Sequence, residues 1–223
     1  MANNKEKENR WRYAQSKEDE FWKRNGVFDD QIARVISRYG PVIAELSKEL
    51  KPESNILDVG CGPTCAGELF SVGSKSFLDP LMDSYLKTYP EKLPEGEKLC
   101  CPAESIPKED ESFDVVISVN ALDHMINPVE VLSEIRRVLK NNGTFLLGIF
   151  LHPAPIAFLR RFVENCLPFL REDAHPYSYT LASIRELLDE YFDIAKGIRV
   201  YKKDSALFPS LHREDWMFVC RKK

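Results

Sequence analysis

The run Asn-Ile-Leu-Asp-Val-Gly-Cys-Gly-Pro-Thr at positions 55–64 is the segment best suited to chemistry. Its apolar residues read as a short buried strand that delivers Gly60 and Gly62 to its carboxyl end, where the chain turns toward a helix. Without Cβ atoms, the backbone there can approach a ligand closely, at the crevice where open α/β sheets bind small molecules. A bare Gly-x-Gly also serves as an ordinary tight turn, so its meaning depends on its neighbours. Asp58 lies inside the strand, two residues before Gly60, which disfavours a phosphate in the loop. Cys65 stands where a dinucleotide fingerprint has its third glycine. Asp79, nineteen residues after Gly60, ends a second short strand, where a carboxylate can accept both hydroxyls of a ribose. Before Pro80 it would also suit a helix N-cap. Taken together, these residues favour a ligand with a ribose and a cationic centre but no pyrophosphate.

The elements that must position these groups follow from the hydrophobic pattern. Residues 5–25 form a charged, helix-favouring stretch with four aromatics, Trp11, Tyr13, Phe21 and Trp22. Residues 29–50 read as two helices broken at Gly40-Pro41, with Ile32, Val35, Ile36 and Tyr39 inward on the first and Val42, Ile43 and Leu46 on the second. Strands are expected at 55–60, 75–79, 97–101, 113–119 and 144–150, with a helix at 64–71, another after Pro80 and a third opened by Asn127-Pro128. The third would turn Val131, Leu132, Ile135, Val138 and Leu139 inward. Such alternation means βαβ units and a parallel sheet with helices on both faces. After a proline- and aromatic-rich insertion at 151–179, a helix at 181–191 precedes strands at 193–201 and 215–221, which should pair antiparallel.

Composition bounds the function. The chain has 223 residues, 43% hydrophobic, which suits one large packed domain. With 31 Lys+Arg against 35 Asp+Glu, the net charge of −4 lacks the basic footprint of a nucleic-acid binder. The longest apolar run, 145–151, is far short of the roughly 20 residues of a membrane helix. The first ten residues are polar with no apolar core, so a cytoplasmic protein without membrane partners is expected, as a monomer or homodimer. Six cysteines at irregular spacing, with Cys61 and Cys65 four apart and Cys100 beside Cys101, match no zinc pattern, and no metal is expected.

The run ILDVGCGP, Asp79, then Cys101-Pro-Ala-Glu-Ser-Ile-Pro107, Ser112-Phe-Asp-Val-Val116, Asn120-Ala-Leu-Asp-His124, Glu134 to Lys140 and Asn142-Gly143 occur in an order that resembles class I S-adenosylmethionine-dependent methyltransferases. Within them the chain is most similar to the type 11, or UbiE-like, small-molecule branch, over roughly residues 55–150. The resemblance implies a Rossmann-like α/β fold with seven strands in order 3-2-1-4-5-7-6, strand 7 antiparallel. It implies S-adenosylmethionine as cofactor. Asp58, Gly60, Cys61 and Gly62 would hold its methionine end, Asp79 the ribose, and Pro80 and Leu81 the adenine. Ala103 and Glu104 would contact the adenine amine, and Asn120 the amino group or the transfer site. Thr64 replaces a glycine common at the loop's end, where it could cap the following helix.

Methyl transfer is an in-line displacement that needs an acceptor atom about 3 Å from the methyl and water excluded. Some acceptors also lose a proton, which makes His124, His152, His175 and His212 candidate bases. His152, bordering the insertion, is the expected base and His124 an orienting residue. Residues 1–50 are expected to form a helical lid on a methyltransferase domain at 51–223, with Tyr13 and Trp22 covering the cofactor. In the insertion, Pro153, Pro155, Phe158, Phe162, Phe169, Pro176, Tyr177 and Tyr179 would make an apolar acceptor wall. Arg160, Arg161 and Arg171 could read an acidic group on a small-molecule acceptor. The alternatives are an NAD(P)-dependent oxidoreductase and a nucleotide-binding regulatory protein without turnover.

Overall fold

The computed structural model describes residues 2–24, 26–159, 177–202 and 213–223. His175, His212, Arg160, Arg161, Arg171, Phe162, Phe169 and Pro176 lie outside them. Seven strands form one sheet: β1 (Asn55–Val59), β2 (Ser74–Leu78), β3 (Glu97–Leu99), β4 (Phe113–Val119), β5 (Leu139–Leu151), β6 (Phe192–Lys202) and β7 (Glu214–Lys222). Their order is β3-β2-β1-β4-β5-β7-β6. β1 to β5 run parallel, and β7 is antiparallel to both β5 and β6. This is the order implied by the family resemblance, with the antiparallel last pair that the sequence pattern also predicts.

Alternation within the strands explains why both faces are covered. Ile56, Val115, Ile117 and Leu146 pack on one side with α2 (Val27–Ser47), through its Val35, Tyr39, Ile43 and Leu46. Leu57, Val116, Phe145 and Leu147 pack on the other with α4 (Pro128–Val138) and α5 (Leu181–Asp189). Here α3 is Met82–Thr88, and α1, at the N-terminus, is Ala2–Trp22. Val131, Leu132, Ile135 and Val138 of α4 are all fully buried, each contributing roughly 1.5–3 kcal/mol.

Three elements differ from expectation. α2 runs unbroken through Gly40 and Pro41. A proline inside a helix costs about 3 kcal/mol, but Tyr39 and Ile43 on either side of it are fully buried, and their stripe needs one continuous helix. Ile36 accordingly lies off that stripe, 48% exposed. Residues 64–71 contain only a single 3₁₀ turn, Ala66–Leu69, preceded by Cys65 at φ +45° with no side-chain cap. Asp58 Oδ2 accepts the Gly67 N–H at 2.8 Å, tying that turn to β1 and leaving Thr64 no helix to cap. Finally, β5 begins at Leu139 rather than after Gly143, with an irregular register opposite Phe113 and Val115.

Candidate functional site

The carboxyl ends of β1, β2 and β4 open into one cleft of about 760 Å³, mouth included. Its floor is held by main chain. Gly60 and Cys61 N–H groups both donate to the Leu78 carbonyl, at 2.8 and 3.1 Å, locking the loop after β1 onto the end of β2. Gly60 sits at φ +65°, and a Cβ there would stand 2.4 Å from the Ala121 Cβ. Gly62, at φ +53°, lies under the Trp22 ring, 3.6 Å from where its Cβ would be. Gly60 is required by both conformation and space, and Gly62 by its left-handed conformation.

Asp79 is the central polar group of the cleft. Its Oδ2 accepts the Gly62 N–H and its Oδ1 the Leu81 N–H, both at 2.9 Å. Each oxygen keeps a further lone pair, and the carboxylate is oriented before any ligand arrives. Burial pushes its pKa up to about 6, opposed by the two backbone donors and by His124, and reinforced by Glu18. Asp58, only 1% exposed, lies beneath the floor, and burial raises its carboxyl to about 7. It braces the loop through Gly67 and is not among the residues lining the cleft.

The wall after β4 begins at Asn120, in the left-handed region at φ +52°. Its N–H donates to the Gly148 carbonyl at 2.8 Å, and its Oδ1 accepts the Tyr39 hydroxyl at 3.1 Å. Glu104 crosses from the preceding loop and accepts the Ile126 and Asn127 N–H groups at 2.8 and 3.0 Å, fixing the segment that carries His124 and Met125. His124 lines the cleft. Its Nε2 is 3.9 Å from Oδ2 of buried Asp123, an electrostatic contact beyond hydrogen-bond range.

The roof comes from the N-terminal helices. Trp11, Gln15, Glu18 and Trp22 follow helical spacing along α1 and all face the cleft, joined by Gln31 and Val35 of α2. Trp22 Nε1–H donates to Glu18 at 2.7 Å, and its ring meets Tyr85 edge-on at 6.5 Å. The Trp22 carbonyl accepts the Tyr89 hydroxyl, and Asp19 accepts the Ser84 hydroxyl, so α1 rests on α3.

Of the residues singled out from sequence, Gly60, Cys61, Gly62, Asp79, Pro80, Ala103, Glu104, Asn120, His124 and Trp22 line this cleft together. Leu81 contributes its N–H to Asp79 from outside the lining. Tyr13 does not line it. Two residues from Trp11, it sits on the opposite side of α1, 52% exposed, with the Lys17 ammonium over its ring. His152 does not line it either, because β5 stands two strands from β1 and its end faces β7. The His152 N–H donates to the Tyr179 carbonyl at 2.8 Å, and the residue lines a separate hollow with Thr180, Glu214 and Trp216. The sequence did not mark Gln15, Glu18 and Gln31 as cleft residues, and it placed Tyr39 inward without its bond to Asn120. The four-three-four spacing from Trp11 to Trp22 was the available signal for the first two.

Residues 57–147 match the family described as "Methyltransferase domain". Residues 57–147 carry a methyltransferase domain of the class I S-adenosylmethionine-dependent type. The chain is 27% identical to the ubiquinone/menaquinone biosynthesis C-methyltransferase UbiE of Bordetella avium over 176 residues, 73% of this chain and 69% of that protein. An uncharacterized protein of Methanocaldococcus jannaschii is 32% identical over 113 residues, 48% of each chain. The chain spans about half the length, or less, of the curated relatives it matches at that identity. The YcgJ protein of Bacillus subtilis has the same fold, with a TM-score of 0.62 at 19% identity, covering 82% of this chain and 97% of that one. The cofactor of this methyltransferase family is S-adenosylmethionine. Its cleft fits that group: a glycine floor that Cβ atoms would fill, and a fixed carboxylate with acceptor capacity to spare. No helix among the described residues is long and apolar enough to cross a membrane.

Proposed function

We propose that this chain methylates a small-molecule acceptor. The observation that carries the reading is Asp79, held by Gly62 and Leu81 N–H groups where two parallel strands end. Its free lone pairs would take the two ribose hydroxyls. Gly60, Cys61 and Gly62 would hold the methionine end, with Asp58 acting through the loop it braces. Pro80 and Leu81 would pack on the adenine, Ala103 and Glu104 would border its amine, and Asn120 would present its carbonyl to the amino group. When bound, the cofactor supplies an activated methyl on a sulfonium.

The chain's own residues then have three tasks. Trp11, Trp22 and Met125 give the cleft apolar cover that excludes water. Trp22 can offer its ring face to a cation, a contact of roughly 0.5–2 kcal/mol. His124, which lines the cleft while His152 does not, would take a proton from the acceptor. Helix α1 would serve as the lid, while α2, packed on the sheet through Val35, Tyr39, Ile43 and Leu46, belongs to the domain it covers.

The test is turnover. Purified chain, S-adenosylmethionine and a panel of small hydroxyl, amine and carbon-acid acceptors should yield S-adenosylhomocysteine together with an acceptor one methyl heavier. Binding of S-adenosylhomocysteine without turnover on any acceptor would leave a cofactor-binding protein and overturn the catalytic reading.

A further inference from the structure

Glu18 is the one charged side chain that the described residues of the roof bring to the cleft; Trp11, Gln15, Trp22, Gln31 and Val35 beside it are neutral. It breaks the pattern of its own helix. Glu8, Glu20 and Asp19 of α1 are each paired with a base about one turn away, Arg12, Lys17 and Lys23. Glu18 is half-buried and accepts the Trp22 Nε1–H at 2.7 Å, its one hydrogen bond among the described residues. No lysine or arginine is among the described residues that line the cleft it faces. A carboxylate drawn away from water with no such base beside it favours a cation brought by the ligand.

Its place in the cleft says which cation. The Trp22 ring that Glu18 holds lies over Gly62, 3.6 Å from where a Cβ would stand, on the loop assigned to the methionine end. The like charge of Glu18 adds to burial in pushing up the carboxyl of Asp79, the group assigned to the ribose. Glu18 is thus tied to the cover of the methionine loop and within electrostatic reach of the ribose carboxylate. In S-adenosylmethionine the atom that joins those two parts is the sulfonium sulfur.

Resting on the cofactor placement proposed above, we infer that Glu18 reads the charge of the cofactor. It favours the sulfonium of S-adenosylmethionine over the neutral thioether of S-adenosylhomocysteine, so that transfer itself loosens the roof. In that step a lone pair of the acceptor forms the bond to the methyl carbon, the carbon–sulfur bond breaks, and its electron pair returns to sulfur. The positive charge leaves with the acceptor, as the proton it gives up or as a cationic product. Glu18 then faces a neutral sulfur, and a helix that rests on α3 through a few side chains loses an attraction to what lies beneath it. The methionine ammonium is common to both forms of the cofactor and drops out of the comparison.

Calorimetry on the full chain should compare S-adenosylmethionine, S-adenosylhomocysteine and sinefungin, which carries an ammonium-bearing carbon in place of the sulfonium. Both cationic forms should bind about tenfold more tightly than the thioether. Glu18→Gln keeps an oxygen for the Trp22 N–H and removes the charge. Its preference should fall to about twofold or less through weaker binding of the cations, with S-adenosylhomocysteine bound as before. Hydrogen exchange of the α1 amides should be slower with S-adenosylmethionine bound than with S-adenosylhomocysteine in the wild-type chain, and equal in the variant. No preference in the wild-type chain, a preference that Glu18→Gln keeps, or α1 exchange that does not distinguish the two complexes would each overturn the inference. Failure of the wild-type chain to bind any of the three would instead overturn the cofactor placement on which it rests.

Discussion

The floor of the cleft is fixed by main chain, from the Gly60 and Cys61 N–H groups on Leu78 to the Gly62 and Leu81 N–H groups on Asp79. The roof, α1, is held by side chains: Asp19 to Ser84, Trp22 to Tyr85, and the Tyr89 hydroxyl on the end of the helix. Among the described side chains of α1 only Ala14 and Trp22 are buried, whereas α2 buries six. Its ion pairs, Arg12–Glu8, Lys17–Glu20 and Lys23–Asp19, are largely exposed and contribute little. A floor built this way is preorganised, and a roof built this way can open locally at small cost. The cofactor half of the site should thus be rigid and intolerant of change, and α1 should regulate entry and retention.

The largest effect expected concerns the segment that joins floor to roof. Asparagine at position 124 (His124→Asn) should lower kcat by roughly 10²–10⁴ with cofactor affinity retained, while His152→Asn should change kcat less than threefold. Steady-state rates with the true acceptor decide it, and the reverse pattern would return the base to the edge of β5. On the floor, Gly60→Ala forces a Cβ against Ala121 and a left-handed alanine, costing about 2–4 kcal/mol of stability. Urea unfolding measures this; a loss under 1 kcal/mol would mean the floor yields.

A third expectation uses Asp58. Its carboxyl is raised from 3.8 to about 7, so the folded chain holds a proton that the unfolded chain has already released. Its contribution to stability is complete below about pH 4 and is lost as pH rises toward 7. Between those limits the wild-type chain should lose up to a few kcal/mol relative to Asp58→Asn, whose carbonyl still accepts the Gly67 N–H. Parallel pH profiles for the two proteins would contradict the burial argument. The smallest effect belongs to the roof. Deleting residues 1–24 should leave the sheet folded by circular dichroism and weaken S-adenosylhomocysteine about tenfold, chiefly through faster release. An unfolded product would show α1 to be structural, and unchanged affinity would remove the lid.

How well the sequence could be read divides along the same line. The parallel strands and the grouping of Gly60, Gly62 and Asp79 were visible in the pattern, because buried parallel strands write continuous apolar runs and end in glycines and acids at fixed places. The strand order, Glu104 and Asn120 came instead from the family resemblance. Glu104 looked like an ordinary loop carboxylate until its two backbone partners placed it. Pro41 misled because the burial of Tyr39 and Ile43 outweighs the usual helix-breaking effect. Tyr13 misled because aromatic content, rather than helical phase, selected it; phase picks Trp11, Gln15, Glu18 and Trp22. His152 was chosen from strand order and from its place beside the insertion, neither of which says toward which neighbour the chain turns after β5.

Calorimetric titration of S-adenosylhomocysteine into the wild-type chain and into Asp79→Ala tests the central claim most directly. Asp79 titrates near 6 in the free protein, and the ionised form is the one that accepts two hydroxyls. Wild-type affinity should therefore rise as pH is raised through about 6. The alanine variant should lack that slope and bind about 1–3 kcal/mol more weakly at pH 7.5. Equal affinities and parallel pH profiles for the two proteins would contradict the assignment of Asp79 to the ribose, and with it the placement of the cofactor in this cleft.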